Sequence, residues 1–185
     1  MILGRKVSKN IKENIQMLKE GEEEKGDRKT AKENNRNLRR QDARWLLPPD
    51  GWSKANFDGA SKGNPGPSGC GGVIRNSFGE GIATFASPLG TQTNHLAEAR
   101  AAIRVVKLAF DAGVTKLWLE GDSKNIINTI MGTTPPSWSI ANIIAETRAT
   151  LTKFEKVHVT HVYREANPVA DWFANTGVDV GNNMT

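Results

Sequence analysis

The stretch Lys54-Ala-Asn-Phe-Asp58, running straight into Gly59-Ala-Ser-Lys-Gly-Asn-Pro-Gly66, decides the fold. From Trp52 to Ala60 the residues alternate as a strand does, with successive side chains on opposite faces. The strand ends in an acid and then in a loop with little side-chain bulk. A second stretch, Leu117-Trp-Leu-Glu-Gly-Asp122, repeats the arrangement, a dense apolar strand closed by an aspartate. Its apolar run predicts burial on both faces. If these two strands lie parallel at the centre of one sheet, Asp58 and Asp122 arrive at the edge where ligands of open α/β sheets gather.

Working outward, residues 69–76 read as a second strand, Ser77-Phe-Gly79 as a tight turn and residues 81–87 as a third strand, an antiparallel meander. Residues 91–112 carry Leu96, Ala99, Ile103, Val106 and Phe110 on one helical stripe, with Gly113 as the stop. Residues 122–131 predict a short helix broken by Gly132 and Pro135-Pro136, and residues 137–154 another. Residues 156–163 alternate as a fifth strand. Asn167 then caps a helix with Pro168 at its first position and Gly177 just past its end. The order predicts an α/β fold: a five-stranded mixed sheet, three antiparallel strands followed by two parallel ones, with helices on both faces.

The chain has 185 residues and a formal charge of +5. Residues 1–44 hold 13 Lys+Arg and 8 Asp+Glu, which leaves 12 of each sign in residues 45–185. The basic character therefore belongs to a charged tail over 1–44, read as disordered or weakly helical. Such a tail can supply salt-sensitive contact with phosphates, or be only a solvated segment. Pro48-Pro49 and Asp50-Gly51 mark 45–51 as a linker, and 52–180 as the domain. The lone Cys70 excludes a disulfide framework and a multi-cysteine zinc site. No stretch approaches the length of apolar sequence that a membrane helix needs, and the N-terminus has no apolar signal core. The expectation is a monomeric intracellular protein, nuclear or cytoplasmic.

Four acids stand against local structural need: Asp58 and Asp122 at strand ends, Glu98 in the apolar run Leu96-Ala-Glu-Ala-Arg-Ala-Ala-Ile103, and Asp171 in a first helical turn. Singly each has a plain explanation, as a turn acid, a helix cap or an acid favoured by a helix dipole. Jointly they are costly, because gathered carboxylates repel unless cations sit between them. Together they point to a divalent-metal site.

The segments Asn56-Phe-Asp-Gly-Ala-Ser-Lys-Gly-Asn-Pro-Gly66, Thr93-Asn-His-Leu-Ala-Glu98, Leu119-Glu-Gly-Asp122 and His161-Val-Tyr-Arg-Glu-Ala-Asn-Pro-Val-Ala-Asp171 resemble, in order, four motifs of the type-1 ribonuclease H family. The resemblance spans residues 52–177 and is greatest to plant-type domains related to non-LTR retroelements. It implies a ribonuclease H-like fold and a two-metal endonuclease that cuts the RNA strand of RNA–DNA hybrids. Two Mg²⁺ ions about 4 Å apart, or Mn²⁺ in their place, would serve both attacking and leaving oxygens. By motif, Asp58 bridges both metals, Glu98 and Asp122 hold the one that activates water, and Asp171 completes the other side.

The resemblance also implies that Ser61, Asn64 and Asn94 touch the minor groove of the hybrid and Thr93 a DNA phosphate. The alternative role for Thr93 or Asn94 is a helix cap alone. His161 stands at the spacing of a histidine that aids proton transfer or product release, but it also fits a histidine packed on the sheet. The following Tyr163-Arg164-Glu165 lacks that family loop's glycines, which makes Arg164 a substitute candidate. Thr133-Thr-Pro-Pro-Ser137 stands where some bacterial forms carry a basic helix-loop, and Trp172-Phe173 replaces a smaller aliphatic pattern. Trp118 is expected in the core, and Trp45, Trp52, Trp138 and Trp172 over helix and strand edges. The alternative is a retroelement-derived binding module that has lost catalysis, which predicts hybrid binding without turnover.

Overall fold

The computed structural model describes residues 43–182. From Arg44 on they belong to one compact unit. Residues 1–42, most of the expected tail, lie outside the described residues. The elements are β1 (Ser53–Ser61), β2 (Gly66–Arg75), β3 (Gly81–Gln92), α1 (Asn94–Asp111), β4 (Lys116–Gly121), α2 (Lys124–Met131), α3 (Ala141–Leu151), β5 (Lys156–His161), a 3₁₀ turn (Arg164–Ala166) and α4 (Pro168–Asn182).

The sheet runs β3-β2-β1-β4-β5. β1 pairs antiparallel with β2, Asp58 opposite Gly71, and parallel with β4 from Ser53↔Leu117 to Phe57↔Gly121. β4 and β5 are also parallel. The expected α/β sheet of three antiparallel strands and two parallel ones is therefore the observed one.

Helices cover both faces, and two adjacent glycines show how closely. A Cβ on Gly71 would lie 2.3 Å from the Ala174 nitrogen of α4, and one on Gly72 would lie 3.1 Å from Val105 Cγ2 of α1. Neighbouring strand residues point to opposite faces, so α4 and α1 sit on opposite sides. α1 presents small buried residues, Ala97, Ala101, Ala102, Val105 and Ala109, which let it lie close to the strands. Leu117, Leu119, Ile126, Ile130 and Ile144 fill the core, each contributing roughly 2 kcal/mol through burial.

Several local readings change. β3 runs on through Pro88 to Gln92, so the helix begins at Asn94 and not at residue 91. β3 is an edge strand, and the register shift between Ser68 and Gly69 falls opposite Pro88, so its missing N–H sits at a break in the ladder. The second helix begins at Lys124, after Asp122, and the third is trimmed to Ala141–Leu151. Gly113 does follow the end of α1, with φ 75°. Gly177 does not stop α4, which continues to Asn182. A Cβ there would meet the Ser87 carbonyl oxygen at 2.6 Å, so this glycine serves helix-to-strand approach. Asn167 does not cap α4 with its side chain: Nδ2 crosses to donate to the Phe57 carbonyl at 3.0 Å, and Oδ1 has no partner.

The tryptophans also differ from expectation. Trp118 is half-buried, because the face of β4 away from Leu117 and Leu119 carries a polar network and no apolar core. Its indole donates to Thr160 Oγ1 at 2.7 Å. Trp138 is 92% exposed and Trp172 61%, so neither covers an edge. The stretch 45–51, read as a linker, includes Trp45, whose indole donates to Asn56 Oδ1 at 2.8 Å.

Candidate active site

Parallel pairing of β1 and β4 ends at Phe57↔Gly121, one residue before each aspartate. Asp58 and Asp122 therefore leave the sheet side by side. Glu98 comes from the second turn of α1, which reaches them because β1 carries glycine at its exit. A Cβ on Gly59 would lie 2.2 Å from the Glu98 nitrogen. Each of the three acids offers a carboxylate oxygen, and all three oxygens lie within 4.8 Å of one another.

Nothing in the described protein neutralises this group fully. Glu98 Oε2 and Asp122 Oδ1 are buried and have no hydrogen-bond partner. Burial pushes the Asp58 carboxyl up to about 8, helped by the charges of Asp122 and Asp171 and opposed by Arg164. Glu98 is raised by burial and then by Asp58 and Asp122, against a backbone N–H of Gly59. Asp122 is raised chiefly by burial. At an effective dielectric of about 20, two full charges under 5 Å apart repel by roughly 3 kcal/mol. Three ionised carboxylates therefore persist here only with a cation among them, and hard divalent ions take carboxylate oxygens of this kind. Asp58, Glu98 and Asp122 fit such an ion.

Asp171 lines the same cleft of about 420 Å³ but stands apart from the triad. Its Oδ1 accepts from Arg164 Nη2 at 2.6 Å, and its Oδ2 accepts from Asn175 Nδ2 at 3.3 Å. The hydrogen bond to Asp171, and then its charge, raise the already high pKa of Arg164. His161 is exposed and does not line the cleft. Its Nε2 lies 3.0 Å from the Asp122 backbone oxygen, and its ring meets Tyr163 edge to face.

Of the residues expected at the hybrid, Ser61 and Asn94 line the cleft with the acids. The Ser61 hydroxyl donates to the Gln92 carbonyl at 2.9 Å. Asn64 Oδ1 accepts the Asn94 backbone N–H at 3.1 Å, which docks the glycine-rich loop on the start of α1. Thr93 caps α1, accepting from the Leu96 N–H at 3.3 Å. Two residues escaped the sequence reading. Asn175 on α4 left no signal beyond its spacing of one helical turn from Asp171. Glu120 did leave one, a charge inside an apolar strand.

A 3-2-1-4-5 mixed sheet with acids gathered where its two central parallel strands end defines the ribonuclease H-like class of α/β proteins. Comparison with known proteins narrows this. Residues 56–177 match the family model described as reverse transcriptase-like. An Arabidopsis thaliana protein named as a ribonuclease H protein is 34% identical over 131 residues, 71% of this chain but only 21% of that one. This chain thus spans about a fifth of that relative's length. A Halobacterium salinarum ribonuclease HI is 36% identical over 139 residues, 72% of this chain and 69% of that one. The crystal structure of RNase H1 from that organism aligns with a TM-score of 0.67 at 34% identity, over 70% of this chain and 98% of that one. The fold is shared, at 24% identity and a TM-score of 0.65, with LC11-RNase H1 crystallised with an RNA/DNA hybrid, over 70% of this chain and 99% of that one. The chain belongs to the ribonuclease H family.

Among the described residues, no helix is long and apolar enough to cross a membrane.

Proposed function

We propose that this chain is a metal-dependent endonuclease that hydrolyses the RNA strand of RNA–DNA hybrids. One observation carries the reading: three carboxylates converge at the end of β1 and β4 with two buried oxygens left unpartnered. A fold needing only stability would not keep that arrangement.

Asp58, Glu98 and Asp122 would hold a divalent ion, and Asp58 with Asp171 a second. Bound there, Mg²⁺ or Mn²⁺ supplies Lewis acidity to the phosphodiester and acidifies water. The protein's own part is positioning. β1 and β4 fix the two aspartates, and α1 brings Glu98 through the gap left by Gly59. Arg164 donates to Asp171 at 2.6 Å and carries further N–H donors for a phosphate oxygen. Ser61 and Asn94, on the same cleft, are short donors and acceptors suited to the 2′-hydroxyls that distinguish RNA from DNA. His161 orients Asp122 through its backbone carbonyl, and the cleft-facing basic group is Arg164.

The test is incubation of labelled hybrid, RNA duplex and DNA duplex with Mg²⁺ or Mn²⁺, comparing wild type with Asp58→Asn. The expected result is cleavage of the hybrid's RNA strand alone, with 5′-phosphate products, and its loss in the variant. Hybrid binding without turnover in either metal would replace this reading with that of a binding module.

A further inference from the structure

The two strands that carry Asp58 and Asp122 are tied together one step behind those acids. Asn56 and Glu120 face each other in the β1–β4 register. Asn56 Nδ2 donates to Glu120 Oε2 at 3.2 Å, and Lys54 Nζ donates to Glu120 Oε1 at 3.1 Å. Thr160 of β5 adds a 3.3 Å hydrogen bond to the same Oε1. Lys54, Asn56 and Glu120 are 1%, 2% and 6% exposed. The assembly is completed from outside the sheet: Trp45 Nε1 donates to Asn56 Oδ1, and the Leu46 carbonyl accepts from Lys54 Nζ at 2.7 Å. The ammonium lies 3.7 Å from the ring centre of Trp118 and 5.4 Å from that of Trp45. Trp45, Leu46 and Lys54 all precede the stretch 56–177 that the family model matches.

A buried ion pair is an expensive way to stabilise a sheet, and apolar residues of similar volume do as well or better. What it supplies is directed register. Strand side chains repeat every second residue, so Asp58 and Asp122 are the next groups on the face of Asn56 and Glu120. The backbone ladder stops at Phe57↔Gly121, just before two like charges that push the strand ends apart. The Asn56–Glu120 hydrogen bond is the last side-chain tie across the two strands before that point. Lys54 cancels the Glu120 charge, so the tie adds no net anion behind the cluster.

We propose that Glu120 is a positioning residue for the acid cluster, and that Trp45 and Leu46 belong to the nuclease domain as the strap that completes the network behind its site. The proposal rests on the cluster binding divalent metal, as argued above. It is tested on the full chain with Glu120→Gln, the Lys54→Met/Glu120→Gln double variant, and Trp45→Phe, which keeps the ring and loses the N–H. Mn²⁺ affinity by calorimetry, thermal unfolding in chelator, and kcat and KM on hybrid are measured for each.

Glu120→Gln strands the ammonium and turns a charge-assisted hydrogen bond from Asn56 into a weaker neutral one. It is expected to weaken Mn²⁺ binding about tenfold, the low end for residues that orient metal ligands, and to lower kcat with KM unchanged. The double variant removes the stranded charge and restores most of the affinity, because glutamine can still accept from Asn56. Trp45→Phe weakens binding in the same direction and by less. Wild-type affinity in a destabilised Glu120→Gln would reduce Glu120 to a structural role and overturn the proposal. Wild-type behaviour of Trp45→Phe in all three measurements would remove the strap. If Glu120→Gln does not fold, failure of the double variant to recover affinity overturns the proposal. A wild type that binds no Mn²⁺ and cleaves nothing would instead sink the function on which the proposal rests.

Discussion

Removing the first acid should stabilise the metal-free protein while destroying its activity. The Asp58 carboxyl titrates at 3.8 when unperturbed and at about 8 in the fold, chiefly because it is buried. Its folded value is raised, so its contribution is fully favourable only below the unfolded value and is lost as pH climbs toward 8. The unfolded chain ionises freely over that window, and the folded chain cannot. Each unit of displacement is worth 1.36 kcal/mol, so the penalty is roughly 2 kcal/mol at about pH 5 and roughly 5 kcal/mol at about pH 8. The difference, on the order of 3 kcal/mol, is a large share of the total stability of a domain this size. Glu98 and Asp122 are raised as well and act in the same direction.

The assay is urea unfolding in chelator at those two pH values, for wild type and Asp58→Asn. Wild type should lose stability as pH rises, and Asp58→Asn should lose markedly less and be the more stable protein at the higher pH. Adding Mg²⁺ at about pH 8 should restore wild type and leave the variant unmoved, because only the ionised cluster gains from the cation. Parallel profiles for the two proteins, or a wild type that gains stability with pH, would show that the acids are not desolvated as the structure places them.

Three further outcomes follow from single contacts. Arg164→Ala breaks the 2.6 Å bridge to Asp171, but the arginine is 73% exposed, so stability should change by less than about 1 kcal/mol; hybrid kcat should fall at least about tenfold if the guanidinium serves the reacting phosphate, and an unchanged kcat would remove it from the site. Gly59→Ala puts a methyl group 2.2 Å from the Glu98 backbone nitrogen; denaturant unfolding should show a loss of about 2–3 kcal/mol, and a neutral result would mean that α1 sits farther from β1. Trp138→Ser should leave thermal stability within about 0.5 kcal/mol, since the ring is 92% exposed; a larger loss would reveal packing on that ring.

Much of the site was legible because an acid that ends an apolar strand contradicts what the strand needs locally. The alternation ending at Asp58, the apolar run ending at Asp122 and the polar break in the helix at Glu98 were each visible that way, and the structure brings these three together. Asp171 was visible too, but its bridge to Arg164 was not, because both are surface-type residues in a loop-to-helix turn. The misread residues failed for a shared reason. Gly177 and Asn167 have standard local meanings, a helix stop and a helix cap, and in the fold both are used across space, against Ser87 and the Phe57 carbonyl. The third strand reads only to residue 87, because its continuation through Pro88 depends on the strand being an edge.

Glu120 shows where such reading reaches its limit. It is a charge in an apolar strand, the signal that singled out Glu98, yet the two acids have opposite surroundings. Glu98 faces two more carboxylates, whereas Glu120 faces Lys54, 66 positions away in the chain. Cost to folding marks both residues alike. Only the sign of the charge brought opposite decides whether the acid waits for a cation from solution or already has one from the protein. The pairing of β1 with β4 makes that choice, placing Lys54 and Asn56 against Glu120 and then, one step on, Asp58 beside Asp122.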